Sequence, residues 1–257
     1  MAVRVVIGIL EHASVPQYNV ECQLINEKLK YISQEEEEEE EMKLVWSPET
    51  ALQAYVDTVK SCKLAKQSGE AECISAMAGG WNTKLIVEAW LHDGTTTTSI
   101  GLAIAARHSG ARHVCVVPDE RSRLEYVNAM QTSGASVPEV LVGEAKKVMV
   151  GLVGVDFLVV DGRRKDFGRV VRVARLGESG AVLVCKNASF RNMAGFRWGK
   201  VLDNATHVVR SLMLPVGNGL DIAYVGKNCG VTDSPKSPKS WIRHIDQQSG
   251  EEHLFRG

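Results

Sequence analysis

Charged and amide side chains recur where apolar runs end in this sequence. Glu88 lies near the end of KLIVEAW (84–90), with Gly94 and Thr95 a few residues on. Asp119 follows HVCVVP (113–118), and Asp161 closes DFLVVD (156–161) with Arg163 and Arg164 just beyond. Lys186 ends AVLVCK (181–186), and Asn187 follows it. A lysine beside an aspartate makes an acid/base pair able to orient or deprotonate a ligand. Two adjacent guanidiniums suit a phosphate or carboxylate. Hydroxyls from Thr95 to Ser99, at a helix start, suit either ligand binding or a helix cap. Each of these residues also has a purely structural use: Asp119 as an N-cap, Asp161 and Lys186 as an ion pair across strand ends, the arginines as a solvated face.

The elements that position these residues follow from periodicity. The runs at 84–90, 113–118, 139–142, 156–161 and 181–186 are short, apolar and rich in β-branched residues. They alternate with amphipathic segments near 95–107, 121–132, 144–153 and 166–177. This alternation predicts a parallel sheet covered by helices on both faces. Upstream, Ser47-Pro48-Glu49 is a helix start, with Leu52, Tyr55, Val56 and Val59 as its apolar face. A second helix over 70–78 is expected to close at Gly79-Gly80. Residues 207–214 and 220–225, joined by PVGNG, read as a terminal antiparallel hairpin. The fold class is α/β, doubly wound. In such sheets ligands bind outside the carboxyl ends of the strands, where the strand order reverses. All the candidate residues fall there.

The chain has 257 residues and a formal net charge of −1, but the charge is unevenly spread. Residues 1–41 hold ten acids, seven of them consecutive glutamates at 35–41, against three bases. The remaining 216 residues are therefore net positive by six. A low-complexity, self-repelling run cannot build a core, so 1–41 is expected to be a disordered acidic extension. The folded domain is placed at 42–230, and the Ser/Pro/Lys-rich stretch 231–257 is expected to be a flexible tail. No apolar stretch reaches the ~18 residues of a membrane span. The six cysteines show neither CxxC nor zinc-site spacing, which points to free thiols and a reducing compartment, read as the cytoplasm. GxSxG, Walker A and HExxH motifs are absent. Arg169, Arg172 and Arg175 add charge along one helix side, but no aromatic stacking run accompanies them, so a nucleic-acid partner is disfavoured. Phe190, Phe196 and Trp198 fall between the last parallel strand and the hairpin, a common place for a lid or an oligomer contact.

Five stretches together resemble a plant family known only as a domain of unknown function, number 1442. They are KLVWSPETALQAY (43–55), SAMAGGWNTKLIVEAW (75–90), GVDFLVVDGRRKDF (154–167), GAVLVCKNA (180–188) and LPVGNGLDIAYV (214–225). That family is similar to the S-adenosylmethionine-dependent methyltransferases, near the cation-dependent O-methyltransferases. The resemblance implies a seven-stranded Rossmann-like sheet ending in an antiparallel hairpin. It also implies a cofactor held by Glu88, Gly94, Thr95 and Asp119, with Asp119 on the ribose. Trp90 stands where those enzymes carry a glycine, so its indole is expected to obstruct the close approach of a cofactor.

In the cation-dependent enzymes an aspartate ending the fourth strand and an Asp-Asn pair ending the fifth hold a divalent metal. The matching residues here are Asp161 and Lys186-Asn187. An ammonium in place of a carboxylate repels a dication, so no metal is expected and Lys186 is expected to pair with Asp161. The resemblance thus implies a metal-independent methyltransferase-like protein with Asp161, Lys186 and Asn187 as catalytic residues. Arg163 and Arg164 would meet a small, anionic ligand. A catalytically degenerate fold serving as a binding or regulatory module is the other reading, favoured by Trp90 and Lys186.

Overall fold

The computed structural model describes residues 46–62, 69–92, 95–192, 196–202, 206–226, 241–245 and 252–256. Gly94 and residues 1–41 lie outside them. Two helices come first, α1 (Pro48–Ser61) and α2 (Glu70–Gly80). The alternation then runs β1 (Leu85–Ala89), α3 (Thr97–Ser109), β2 (Arg112–Val117), α4 (Glu120–Thr132), β3 (Glu139–Val142) and the single turn α5 (Ala145–Val148). Next come β4 (Val153–Val155), β5 (Phe157–Asp161), α6 (Phe167–Val173), β6 (Arg175–Leu176) and β7 (Ala181–Lys186). The short turns α7 (Ser189–Asn192) and α8 (Trp198–Val201) lead to β8 (Val208–Leu214) and β9 (Leu220–Val225).

Seven strands form one sheet in the order β3-β2-β1-β5-β7-β9-β8. The first five are parallel, and β9 runs antiparallel to both β7 and β8. The fold is therefore the mostly parallel α/β sheet with a terminal antiparallel pair that the alternation predicts. β4 and β6 make a separate two-stranded ladder, outside the periodic pattern. Within 231–257, a separate unit from residue 228 onward holds an antiparallel pair, β10 (Trp241–Ile245) and β11 (Glu252–Arg256). No helix among the described residues is long and apolar enough to cross a membrane.

The central strands β1, β5 and β7 are buried throughout, as sheets covered on both faces must be. On one face Leu85, Val87, Leu158, Val160 and Leu183 pack with α5, α6 and α8. On the other, Ile86, Phe157, Val159, Val182 and Val184 pack with α1, α2 and α3. Asp156 fixes the amino-terminal edge, its carboxylate accepting from the backbone N–H groups of Lys84 (2.7 Å) and Leu85 (3.1 Å).

One local expectation is overturned, and the packing of the first two helices explains it. α1 buries Ala51, Ala54 and Thr58, whereas Leu52, Val56 and Val59 of the expected apolar face are exposed. α2 closes at Gly79-Gly80 as expected, ending at Gly80, but the two glycines also serve its packing. The two helices touch through small residues. A Cβ at Gly79 would come within 3.0 Å of Ala54 Cβ, and one at Gly80 would strike the Trp46 indole. The glycines permit the approach as well as closing the helix. A hydroxyl pair, Thr58 Oγ1 to Ser75 Oγ at 2.8 Å, closes the same seam.

His113, on β2, is buried, and neither ring nitrogen has a hydrogen-bond partner among the described residues. Burial drives its pKa down to about 3. The unfolded imidazole titrates near its ordinary value, so stability is fully present above it and declines as the pH falls from there toward the folded value. The loss amounts to about 2 kcal/mol by pH 5. Denaturant unfolding at pH 7 and pH 5 should show that loss in the native sequence. In His113→Leu it should be absent.

Candidate ligand site at the carboxyl ends of the strands

The strand order reverses between β1 and β5: β2 and β3 lie on one side, β7 and the antiparallel pair on the other. That crevice is the place where backbone and side chains of neighbouring loops diverge to admit a ligand. Side chains alternate along a strand. Glu88 therefore follows Ile86, Asp161 follows Phe157 and Val159, and Lys186 follows Val182 and Val184, all toward the face that α1–α3 cover. Asp161 and Lys186 are cross-strand neighbours in register, and both are buried.

Asp161 is the centre of a tight network. Its Oδ1 accepts from the backbone N–H of Arg163 (2.8 Å) and from Arg163 Nε (3.0 Å). Its Oδ2 accepts from Arg163 Nη2 (2.7 Å) and from Asn187 Nδ2 (2.8 Å). Burial pushes the Asp161 carboxyl up, but the Arg163 hydrogen bonds and the charges of Lys186 and Arg163 outweigh it and hold it below its ordinary value. Asn187 reaches the carboxylate from a left-handed backbone, φ +56, and its Oδ1 accepts from Asn218 Nδ2 at 3.0 Å. Asn218 belongs to the β8–β9 turn. That turn is tied to the end of β7 by Ala188 N–H to Gly219 O (2.9 Å) and Ser189 N–H to Asn218 O (3.0 Å).

The expected Asp161–Lys186 pair is thus replaced by Asp161–Arg163. The reason is reach: Arg163 stands two residues past Asp161, where its backbone and its fork serve one carboxylate together. Lys186 acts on Asp161 only through its field. A divalent metal does not fit this arrangement. Both Asp161 oxygens are taken by donors, and a guanidinium and an ammonium flank them. Among the described residues, no group of three or more His, Cys, Asp or Glu side chains could hold a metal ion.

At the β1 end the expectation for Trp90 is also overturned. Its indole is 2% exposed and lies in a cluster with Ile100, Ala103, Cys115, Val117 and Met130. It meets the Tyr126 ring edge-on, centroids 5.5 Å apart. Indole Nε1 donates to Thr95 O (3.3 Å). Burial in the core, not intrusion into the crevice, is what the tryptophan does. What faces the crevice from Trp90 is its carbonyl, which accepts from Arg164 Nη1 at 3.0 Å. Arg164, with its side chain 10% exposed, also forks onto Asp166, Nε to Oδ1 and Nη2 to Oδ2, each 3.0 Å. Both arginines expected to receive an anion are therefore engaged with carboxylates of their own loop.

Glu88 is 1% exposed, and its Oε2 accepts from Ser99 Oγ of α3 at 2.6 Å. Asp119 is exposed and caps α4, its Oδ1 accepting from Ser122 N–H at 2.7 Å. That bond is the main cause that holds its carboxyl below the ordinary value. Thr95 is half-buried beside the Trp90 ring edge. The structure thus brings Asp161, Asn187, Lys186, Arg163 and Arg164 together, with Glu88 on the same face. Asp119 stands apart at the end of β2. Arg169, Arg172 and Arg175 are exposed, and Arg175 lies in β6 rather than on the helix. Trp198 is buried with Phe167 and Phe196 and donates to Asp221 Oδ1 at 2.7 Å, so it anchors its segment. Phe190 alone of the three aromatics there is exposed.

Sequence reasoning missed Asn218. Its signal is the NG pair in LPVGNGL, which reads as a turn and conceals a side chain reaching back to the site.

The chain matches none of the curated proteins. Among solved structures it is similar to the SAH-bound methyltransferase PaMTH1 of Podospora anserina, with a TM-score of 0.50 and 15% identity over 78% of this chain and 96% of that one. A methyltransferase from Geobacter sulfurreducens follows, with a TM-score of 0.49 and 18% identity over the same shares. An O-methyltransferase from Bacillus cereus, in complex with SAH, gives 0.46 and 14% over 76% and 96%. At these identities the likeness speaks to the fold. The family described as "Protein of unknown function (DUF1442)" matches residues 42–257, starting just past the glutamate run. With most of its length matched, the chain belongs to the DUF1442 family, and its fold is methyltransferase-like.

Proposed function

We propose that the crevice between β1 and β5 binds S-adenosylmethionine and that the protein is a methyltransferase-like enzyme working without a metal. One observation carries this reading: the Trp90 indole is packed into the core, so the residue that should obstruct the crevice presents only its backbone there. The methyltransferase-like fold supports it, as does the SAH bound to the similar Podospora protein. Glu88, Thr95 and Asp119 are the described residues assigned to the cofactor, whose chemistry is a methyl group on a sulfonium. Asp119 would grip the ribose with the carboxylate oxygen that does not cap α4. Asp161 is held ionised by Arg163 and serves to position, and Asn187 orients it. Lys186 faces the acceptor. The free thiols of Cys62, Cys73, Cys115 and Cys185 suit a reducing compartment such as the cytoplasm.

A second reading has its own observation. Arg164 bridges the Trp90 carbonyl and Asp166 across the mouth of the crevice. A permanent bridge there would make the fold a binding or regulatory module that has given up the cofactor.

Calorimetry with S-adenosylhomocysteine decides between them. Micromolar binding is expected for the native sequence, unchanged by EDTA. Asp119→Ser, which keeps a capping hydroxyl but loses the carboxylate, should weaken it about tenfold, or about 1.4 kcal/mol, with little change in Tm. A folded native protein that gives no heat, while Arg164→Ala does, would establish the module reading instead. The network around Asp161 has its own expected result. Asp161→Ala leaves Arg163 and Asn187 without their acceptor and should cost about 3 kcal/mol in denaturant unfolding at pH 7.

A further inference from the structure

The positive charge that remains available in this site is not on the arginines. Arg163 is committed to Asp161 and Arg164 to Asp166 and the Trp90 carbonyl. Lys186 is only 3% exposed, yet among the described residues no hydrogen bond or ion pair involves its ammonium. A lysine is almost never this buried unless paired, because desolvating an ammonium is costly. Its side chain leaves β7 on the same face as Asp161, at the carboxyl end of the sheet, one strand beyond the β1–β5 crevice. A ligand seated past the crevice would meet it.

Building on the function proposed above, we infer that Lys186 is the receptor for a carboxylate carried by the small molecule that accepts the methyl group. Charge balance selects a monoanion. Asp161 and Arg163 cancel as a bidentate pair, and the buried Glu88 on the same face is hydrogen-bonded to Ser99, so the charge left for a ligand to meet directly is that of the Lys186 ammonium. A carboxylate neutralises it. A phosphate dianion would leave a net negative charge beside the Asp161 carboxylate in a desolvated site. Three ammonium donors also satisfy the two oxygens of a carboxylate with one to spare. The site is therefore specific for small acids over their neutral amides, and it owes this to a residue unlike the arginines that first suggest an anion.

The test uses the full chain and acetate as the probe, with acetamide as its neutral counterpart. Thermal unfolding is followed at constant ionic strength, acetate replacing chloride. A saturable rise in Tm is expected with acetate and not with acetamide, since a ligand of the native state alone stabilises it. Lys186→Met, similar in length and without charge, should weaken that response at least about tenfold. Lys186→Arg should retain most of it. Equal effects of acetate and acetamide on the native sequence, or an undiminished acetate response in a folded Lys186→Met, would overturn the receptor. A larger effect of inorganic phosphate than of acetate would overturn the choice of a monoanion. The response should persist at saturating S-adenosylhomocysteine. Its loss there would overturn the acceptor assignment in favour of the cofactor's own carboxylate. If S-adenosylhomocysteine gives no heat while the acetate response stands, the cofactor reading fails and the receptor survives.

Discussion

A carboxylate with no exposure to water at the end of a central strand must be paired, and the site is arranged around that requirement. Asp161 cannot be left with an unanswered charge, since an isolated buried carboxylate would cost several kcal/mol. The answer comes from three parts of the chain at once. Arg163 forks onto it from the next turn, Asn187 donates from a left-handed residue at the end of β7, and Asn218 holds Asn187 from the β8–β9 turn. Gly162 sits between Asp161 and Arg163 with its N–H bonded to Lys186 O at 2.7 Å, where a Cβ would come within 2.9 Å of Asn187 O. The pairing therefore fixes where β5 ends, how the next loop leaves and where the last two strands lie.

The same pairing shapes the electrostatics that a ligand would meet. An arginine spent on an internal carboxylate contributes no net charge, so the basic look of Arg163-Arg164 in the sequence does not carry over to the site. Lys186 acts differently: it has no hydrogen-bonded carboxylate among the described residues, and it lowers the Asp161 carboxyl through its field. Asp119, exposed and capping α4, sits outside this balance and belongs to the β2 edge of the crevice.

Much of the fold was legible from periodicity. Five short apolar runs with amphipathic segments between them specify a parallel sheet with little ambiguity, and PVGNG announces the reversal into the antiparallel pair. Burial by small residues was less legible. Ala51, Ala54, Gly79 and Gly80 read as a weak helix face and a stop, because hydrophobic patterning registers large side chains and not close approach. At the site, the sequence placed Asp161, Lys186 and Asn187 correctly at neighbouring strand ends. It could not say which cation Asp161 would choose, since that depends on a two-residue turn and not on strand register. Trp90 illustrates the limit from the other side. A bulky residue at a position that favours glycine looks like an obstruction until Tyr126 and Met130, some forty residues on, supply a place for the ring.

The β8–β9 turn also has a bearing on how the molecule is made. β9 must slip between β7 and β8, and its turn delivers Asn218 to Asn187 and Gly219 to Ala188. These are among the last residues of the sheet to be synthesised, and domains are built from the amino terminus onward. In a chain stopped before residue 214, Asn187 lacks its Asn218 partner and Asp161 is incompletely braced. The charged centre is therefore completed only when the last strands of the sheet have been made.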